Sequence, residues 1–314
     1  MNHYSNYSNL LSIQSDLQKH FQWDDEYFNF FIRLAPILYQ FFSVPKRSSG
    51  MREIAKPAAA LAQVQRFIIK EYYQDFPIHP AACAYIKGKN ILEFAQPHQS
   101  HRYLLKLDFK DFFSSIKIDD FYRYCQLPET ESRILGRLLF CKNKKNHKQN
   151  DYYLSIGSPS SPTLSNILMY EFDKRISDFC QNEHIAYTRY ADDLAFSTNI
   201  PNVLYEKLIK YFFQTCKSLD YPKRLRINSR KTVFTSKKYN RTLTGLVIAN
   251  NGTLSIGRDK KRNLRAMAYQ ASQGLLSEEK VCSLKGHIAF LKGIDPQFAQ
   301  ILQDKLEEKR LFHS

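Results

Sequence analysis

The chain has 314 residues, 43% of them hydrophobic, enough for a sizeable core and two or three subdomains. No stretch reaches the roughly 18 apolar residues of a membrane span, and the start lacks the basic-then-apolar pattern of a secretory signal, so the expectation is a cytoplasmic protein with no membrane partner. The net charge of +16 calls for a polyanionic partner, nucleic acid before an anionic membrane surface.

Residues 9 to 43 carry apolar side chains at helical spacing, including Leu10, Leu11, Leu17, Phe28 and Ile32, with Pro36 as a kink. The segment "VPKRSSGMREIAKP" reads as a basic hairpin turning at Ser48, Ser49 and Gly50. "AAALAQVQRFIIKEYY" is an amphipathic helix, and Gly88 marks a turn in "AYIKGKNI". "YLLKLDF" alternates as a strand, residues 119 to 140 are helical, and "CKNKKNHKQND" is a basic loop. "YYLSIGSPSSPTLSNILMYEFDKRISDFC" gives a strand, a turn and a helix that starts near Pro162. "IAYTRYADDLAFST" is strand, tight turn, strand, followed by an amphipathic helix over about 202 to 219. "LRINSRKTVFTS" and "TLTGLVIANNGTLSI" are strands around turns, with "NNG" a hairpin signal. Beyond Gly257 the pattern is helical.

Six cysteines stand singly, with no CxxC pair. That argues against a zinc site and a disulfide framework, and for a reducing compartment. The chemistry concentrates in carboxylates. Asp108 ends a predicted strand, and Asp192 and Asp193 sit at a predicted hairpin tip. Neighbours along a strand point to opposite faces, so the simplest arrangement pairs Asp108 with Asp192 on adjacent strands and leaves Asp193 near the edge. Such acids repel unless a cation intervenes, and hard divalent ions take oxygen ligands. The alternative is a solvated Asp-Asp turn.

These residues carry a family resemblance. "YADD" from Tyr190 to Asp193, with "LKLDFKDFFSSI" before it and "GSPSSPTLSN" between, resembles the palm motifs of reverse transcriptases in order and spacing. "GMREIAKP" and "LAQVQRFI" resemble the fingers motifs, and "LRINSRKT" the lysine-bearing motif. Joint occurrence in order is far more specific than any one motif. Within that family the chain is most similar to the retron type. "FAQPH" stands where that type has NAxxH, and "LTG" where it has VTG; Phe94 and Leu243 depart from the pattern, as does Ile156, where glutamine is common.

The resemblance implies an α+β, right-hand polymerase fold. Its parts would be an N-terminal helical segment over 1–44, fingers over 45–105, a palm of antiparallel sheet packed on helices over 106–250 with a fingers-side insertion near 120–155, and a small helical thumb over 251–314. It implies that Asp108 and Asp192, with the Phe109 carbonyl, ligate two magnesium ions (manganese as a substitute), assisted by Asp193. Arg52, Arg66 and Lys231 are candidates for the triphosphate, each with a solvated surface role as the alternative. Phe113 stands where the family has an aromatic gate against the 2′-hydroxyl, and Ser158 and Pro159 bring backbone near the nucleotide. Arg258, Lys260, Lys261, Arg262 and Arg265 would track a template–primer duplex. His98 is either an RNA contact or a packed structural histidine.

The implied activity is RNA-directed DNA synthesis from deoxynucleoside triphosphates. A cognate structured non-coding RNA would be template and primer, and the product branched RNA-linked DNA (msDNA). An accessory effector protein in anti-phage (antiviral) defence and a host ribonuclease for template removal complete the implied partners. The alternatives are an intron-encoded or diversity-generating reverse transcriptase, or a non-catalytic RNA-binding scaffold.

Overall fold

The computed structural model describes residues 13–46, 50–144 and 151–307. Leu10, Leu11, the turn residues Ser48 and Ser49, and most of the basic loop lie outside the described residues.

The chain opens with α1 (Ile13–Phe21) and α2 (Asp25–Leu34), the second capped by the Asp24 carboxylate accepting from the Tyr27 amide. A short 3-10 turn at Pro36 ends the helical stretch. The expected helix to residue 43 stops there. Tyr39–Pro45 is instead a strand, β1, paired antiparallel with β2 (Met51–Pro57). The run is aromatic and β-branched, and β2 supplies a ladder that helical spacing could not reveal. Helix α3 (Ala59–Ile68) buries Leu61, Val64 and Ile68. Helix α4 (Ile91–Ala95) carries a capping box from Asn90 and Glu93.

Strand β3 (Tyr103–Asp108) is followed by the short α5 (Phe112–Ser115), then α6 (Ile118–Cys125) and α7 (Glu129–Leu139), parted at Pro128. The two-residue strands β4 (Cys141–Lys142) and β5 (Tyr152–Tyr153) pair across the basic loop. The long helix expected after Pro162 is two, α8 (Ser161–Leu168) and α9 (Tyr170–Asn182). Then come β6 (Ala186–Tyr190), β7 (Asp193–Thr198), α10 (Ile209–Ser218) and β8 (Val233–Ser236).

The central antiparallel sheet runs β6-β7-β3-β8. One of its faces packs on α9 and α10 through Leu105, Phe172, Phe196 and Phe212, part of the larger core. Strands β9 (Arg241–Leu243), β10 (Leu246–Ile248) and β11 (Leu254–Ser255) form a separate sheet. Three helices follow, α11 (Arg258–Ser272), α12 (Glu278–Leu291) and α13 (Pro296–Glu307). Their apolar sides join β9–β11, α4 and Leu104 in a second core. The NNG stretch joins β10 to β11, as its turn chemistry predicts.

Candidate active site

Asp108 ends β3, and Asp193 starts β7 directly opposite it. Between Tyr190 and Asp193 the hairpin turns through Ala191 and Asp192. The expected strand pairing of Asp108 with Asp192 is therefore corrected: the register partner is Asp193, and Asp192 occupies the loop. A two-residue hairpin favours positive φ at its first loop position, and Ala191 has φ 56°. A residue with a Cβ adopts that backbone only under constraint.

The constraint is a buried ion pair. Arg189, wholly buried, grips Asp173 with two guanidinium nitrogens at 2.8 and 2.6 Å. Its Nη1 donates to the Ala191 carbonyl at 3.2 Å, and the Tyr187 hydroxyl donates to the same Asp173. The Phe109 amide donates to the Asp192 carbonyl at 2.9 Å, tying the loop to the end of β3.

Asp108 is buried but not isolated. Lys231 Nζ lies 2.7 Å from Oδ2, and Asn228 Nδ2 donates to Oδ1 at 3.2 Å. Asp108 and Asp192 line one cavity of about 610 Å³ with Arg52, Tyr85, Phe113 and Ile156. Asp193 opens instead onto a second cavity of about 300 Å³, with Lys106, Lys231, Phe94, Leu243 and Thr244; Asp108 borders both. Burial, then the proximity of Asp108, pushes the Asp192 carboxyl up. Burial, then Asp192 and Asp108, raises Asp193 to about 6. The hydrogen bond from Lys231 to Asp108 raises the lysine.

This donor set suits a hard divalent ion. Crowded, partly desolvated carboxylates gain from a cation between them, and all the oxygens are hard. An ammonium already sits on Asp108. Among the described residues no three ligating side chains converge. Two carboxylates, Asp108 and Asp192, and a backbone carbonyl such as that of Phe109 are the donors that could hold a metal here.

Residues 44–248 match the family model of reverse transcriptase, an RNA-dependent DNA polymerase. The chain is 39% identical over 278 residues to the retron Ec83 reverse transcriptase of Escherichia coli, covering 87% of this chain and 88% of that one. The chain belongs to the retron-type reverse transcriptases. It is an RNA-directed DNA polymerase, and its family depends on divalent metal. The retron Ec73 enzyme of the same organism is 29% identical over 84% of this chain and 85% of its own length. Among solved structures, a foamy viral protease-reverse transcriptase in complex with double-stranded DNA aligns with a TM-score of 0.51. It is 14% identical, covering 85% of this chain and 38% of that one, and so shows the right-hand polymerase fold alone.

Not every predicted residue of this reverse transcriptase reaches the cavity. Arg52, Phe113 and Lys231 line it. Arg66 is exposed on α3 and is not among its lining residues. Ser158 is buried, its hydroxyl 2.6 Å from that of Ser155, and neither it nor Pro159 borders the cavity. The turn there is held against β2: Gly157 has φ 116°, and a Cβ on it would meet the Ala55 carbonyl oxygen at 3.1 Å. His98 is corrected as an RNA contact. It is fully buried, with Nδ1 2.6 Å from Ser197 Oγ and Nε2 2.8 Å from Thr188 Oγ1, and burial holds it down at about 3, neutral.

The five cations of α11 divide. Lys261 pairs with Asp295 and stands with Arg265 over the Phe298 ring, facing α13. All but Lys261 are exposed, with Lys260 over the Phe290 ring of α12 and Arg262 beside Asp259.

Sequence reasoning missed Tyr85. Its φ is 62° and half its surface is exposed in the cavity, its ring 6.1 Å from Phe113. The only signal was an aromatic residue just before the basic turn at Gly88. Asn228 was missed too, although it stands three residues before Lys231 in the same motif. Of the departures from the retron pattern, Ile156 borders the large cavity, and Phe94 and Leu243 meet in the smaller one.

Proposed function

We propose that this reverse transcriptase copies a dedicated structured non-coding RNA into branched msDNA by two-metal nucleotidyl transfer, with Mg²⁺ as the physiological ion. The observation that carries the catalytic part is the convergence of Asp108, Asp192, Lys231 and Arg52 on one cavity. Asp108 and Asp192, with the Phe109 carbonyl, would hold the metal. When bound, the ions would activate the primer hydroxyl and neutralise the triphosphate and leaving pyrophosphate.

The protein's own groups position the reactants. Arg52 presents a planar fork suited to phosphate oxygens. Lys231, already at Asp108, supplies a point charge at the phosphates. The Phe113 ring closes the sugar side of the cavity against a 2′-hydroxyl, and Tyr85 packs beside it. Asp193, in the neighbouring cavity, lends negative charge without direct ligation. The proposed parts are fingers over 45–105, palm over 106–250 and thumb over 251–314, with exposed cations of α11 on the duplex. The retron reading also brings an accessory effector protein, anti-phage defence, host ribonuclease processing and a cytoplasmic setting. Among the described residues no helix is long and apolar enough to cross a membrane.

Primer extension on an RNA template with deoxynucleotides and Mg²⁺ tests the catalytic assignment. Asp108→Asn and Asp192→Asn should each abolish extension, and Asp193→Asn should leave residual activity. Extension by Asp192→Asn at the wild-type rate would overturn the assignment.

A further inference from the structure

The outer edge of the central sheet carries rings that the catalytic cavity does not use. Strand β8 is the edge strand, paired on one side with β3. Its Phe234 is 47% exposed, although a phenylalanine is ordinarily core. It is not a stray ring. Tyr103 stacks beside it at 6.3 Å with planes 14° apart, and Tyr205, 71% exposed, meets it edge-on at 6.2 Å. Together they make a continuous aromatic step on the surface.

Cations frame the step. The Arg102 guanidinium lies over the Tyr103 ring at 5.5 Å. The Lys237 amide donates to the Arg102 carbonyl at 2.9 Å, placing the turn after β8 beside it. Lys238 follows, over the 65% exposed Tyr239. No carboxylate occurs in the sequence between Asp220 and Asp259, so β8 and its flanking turns carry only cations, while Glu206 lies next to Tyr205. Exposed rings for base faces, interleaved with cations for phosphates, are the elements of a single-strand platform. A protein-docking patch of the usual kind is instead depleted in lysine.

The site is distinct from the reacting centre. Phe234 pairs with Leu105, three residues before Asp108 on β3, and Tyr103 lies five residues before it, so the rings stand about 10 to 17 Å from the carboxylate at the rise of a strand. A duplex held at the carboxylates would not lay its paired bases on these rings.

We propose that the β8 edge is a binding platform for single-stranded RNA, seating an unpaired segment of the template molecule outside the copied duplex. RNA is favoured over DNA because Tyr103, Tyr205 and Tyr239 add hydroxyls that can bond a ribose 2′-hydroxyl. The proposal rests on the reading of this chain as an enzyme that binds a structured RNA.

The test is equilibrium binding of fluorescent oligouridylate to the full chain, beside an oligothymidylate of equal length. Replacing two rings (Tyr205→Ser with Phe234→Ser) should weaken uridylate binding by at least tenfold. Lys237→Gln with Lys238→Gln should lower the salt-dependence slope by about 0.7 for each phosphate no longer neutralised. Thermal melting of each variant checks that it is folded; both rings are exposed, so it should be. Binding unchanged in the folded ring variant would overturn the platform, as would loss of a co-purifying protein with uridylate binding intact. Equal affinity for thymidylate would overturn the RNA assignment. Primer extension by the wild type reports separately on the polymerase reading, so either can fail alone.

Discussion

Phe113 is a residue whose role turns on a few cubic ångströms. It is half-buried at the cavity wall, within ring contact of Tyr85 and Phe112. Phe113→Ala should raise ribonucleotide incorporation relative to deoxynucleotide by at least tenfold, about 1.4 kcal/mol of discrimination. Competitive extension with both nucleotide types measures it, and unchanged selectivity would remove Phe113 as the gate. His98 makes a different prediction. Its folded-state value is about 3, below the ordinary 6.5. Between those values the unfolded chain takes up a proton that the native chain refuses. Stability therefore falls as pH drops from about 6.5 towards 3, by up to roughly 1.4 kcal/mol per pH unit. Urea midpoints followed across that window should drop less in His98→Gln than in the wild type. An equal drop would assign the acid sensitivity to other groups. At this scale the sequence was legible where a residue type answers to chemistry, as for Asp108 and Asp192. It was not legible where backbone decides. Tyr85 reaches the cavity through a left-handed φ that no pattern of apolar residues announces, and Ser158 turns inward because Ser155 bonds it.

Among the elements, β6 and β7 were readable because alternating apolar residues flank a short polar turn. Their register was not: opposing Asp108 to Asp193 and lifting Asp192 into the loop depends on Arg189 of β6 and Asp173 of α9, sixteen residues apart, which meet only in the fold. The hairpin over "VPKRSSGMREIAKP" was expected, but the first part of β1, residues 39–43, shared the helical apolar spacing of the segment before it. Helix α11 shows how packing sorts a run of like charges. Lys261 and the exposed Arg265 stand over Phe298 of α13, while the exposed Arg258, Lys260 and Arg262 sit elsewhere, Lys260 over Phe290 of α12 and Arg262 beside Asp259. Replacing those three with glutamine should lower the salt slope of RNA–DNA duplex binding by about 0.9 for each phosphate no longer neutralised. Lys261→Gln should instead loosen α13, lowering the melting temperature with little change in slope. A titration across salt concentrations separates the two outcomes; a slope unmoved by the triple variant would take α11 off the duplex.

For the whole molecule, two cores divide the labour. The larger one sets the central sheet on α9 and α10 and so fixes the carboxylates. The smaller one joins the C-terminal helices to the back of the same sheet through Leu104, Phe94 and Ala195. The departures Phe94 and Leu243 fall in this second core and share one small cavity beside Asp193. Both are buried apolar side chains at this junction. The proposed function has the protein make an RNA-linked DNA on its own RNA at Asp108 and Asp192. Sequencing the nucleic acid that co-purifies with the wild type and with Asp192→Asn tests it most directly. The wild type should yield a branched RNA–DNA species and the variant RNA alone. RNA alone from both, in cells that express the cognate RNA, would contradict it.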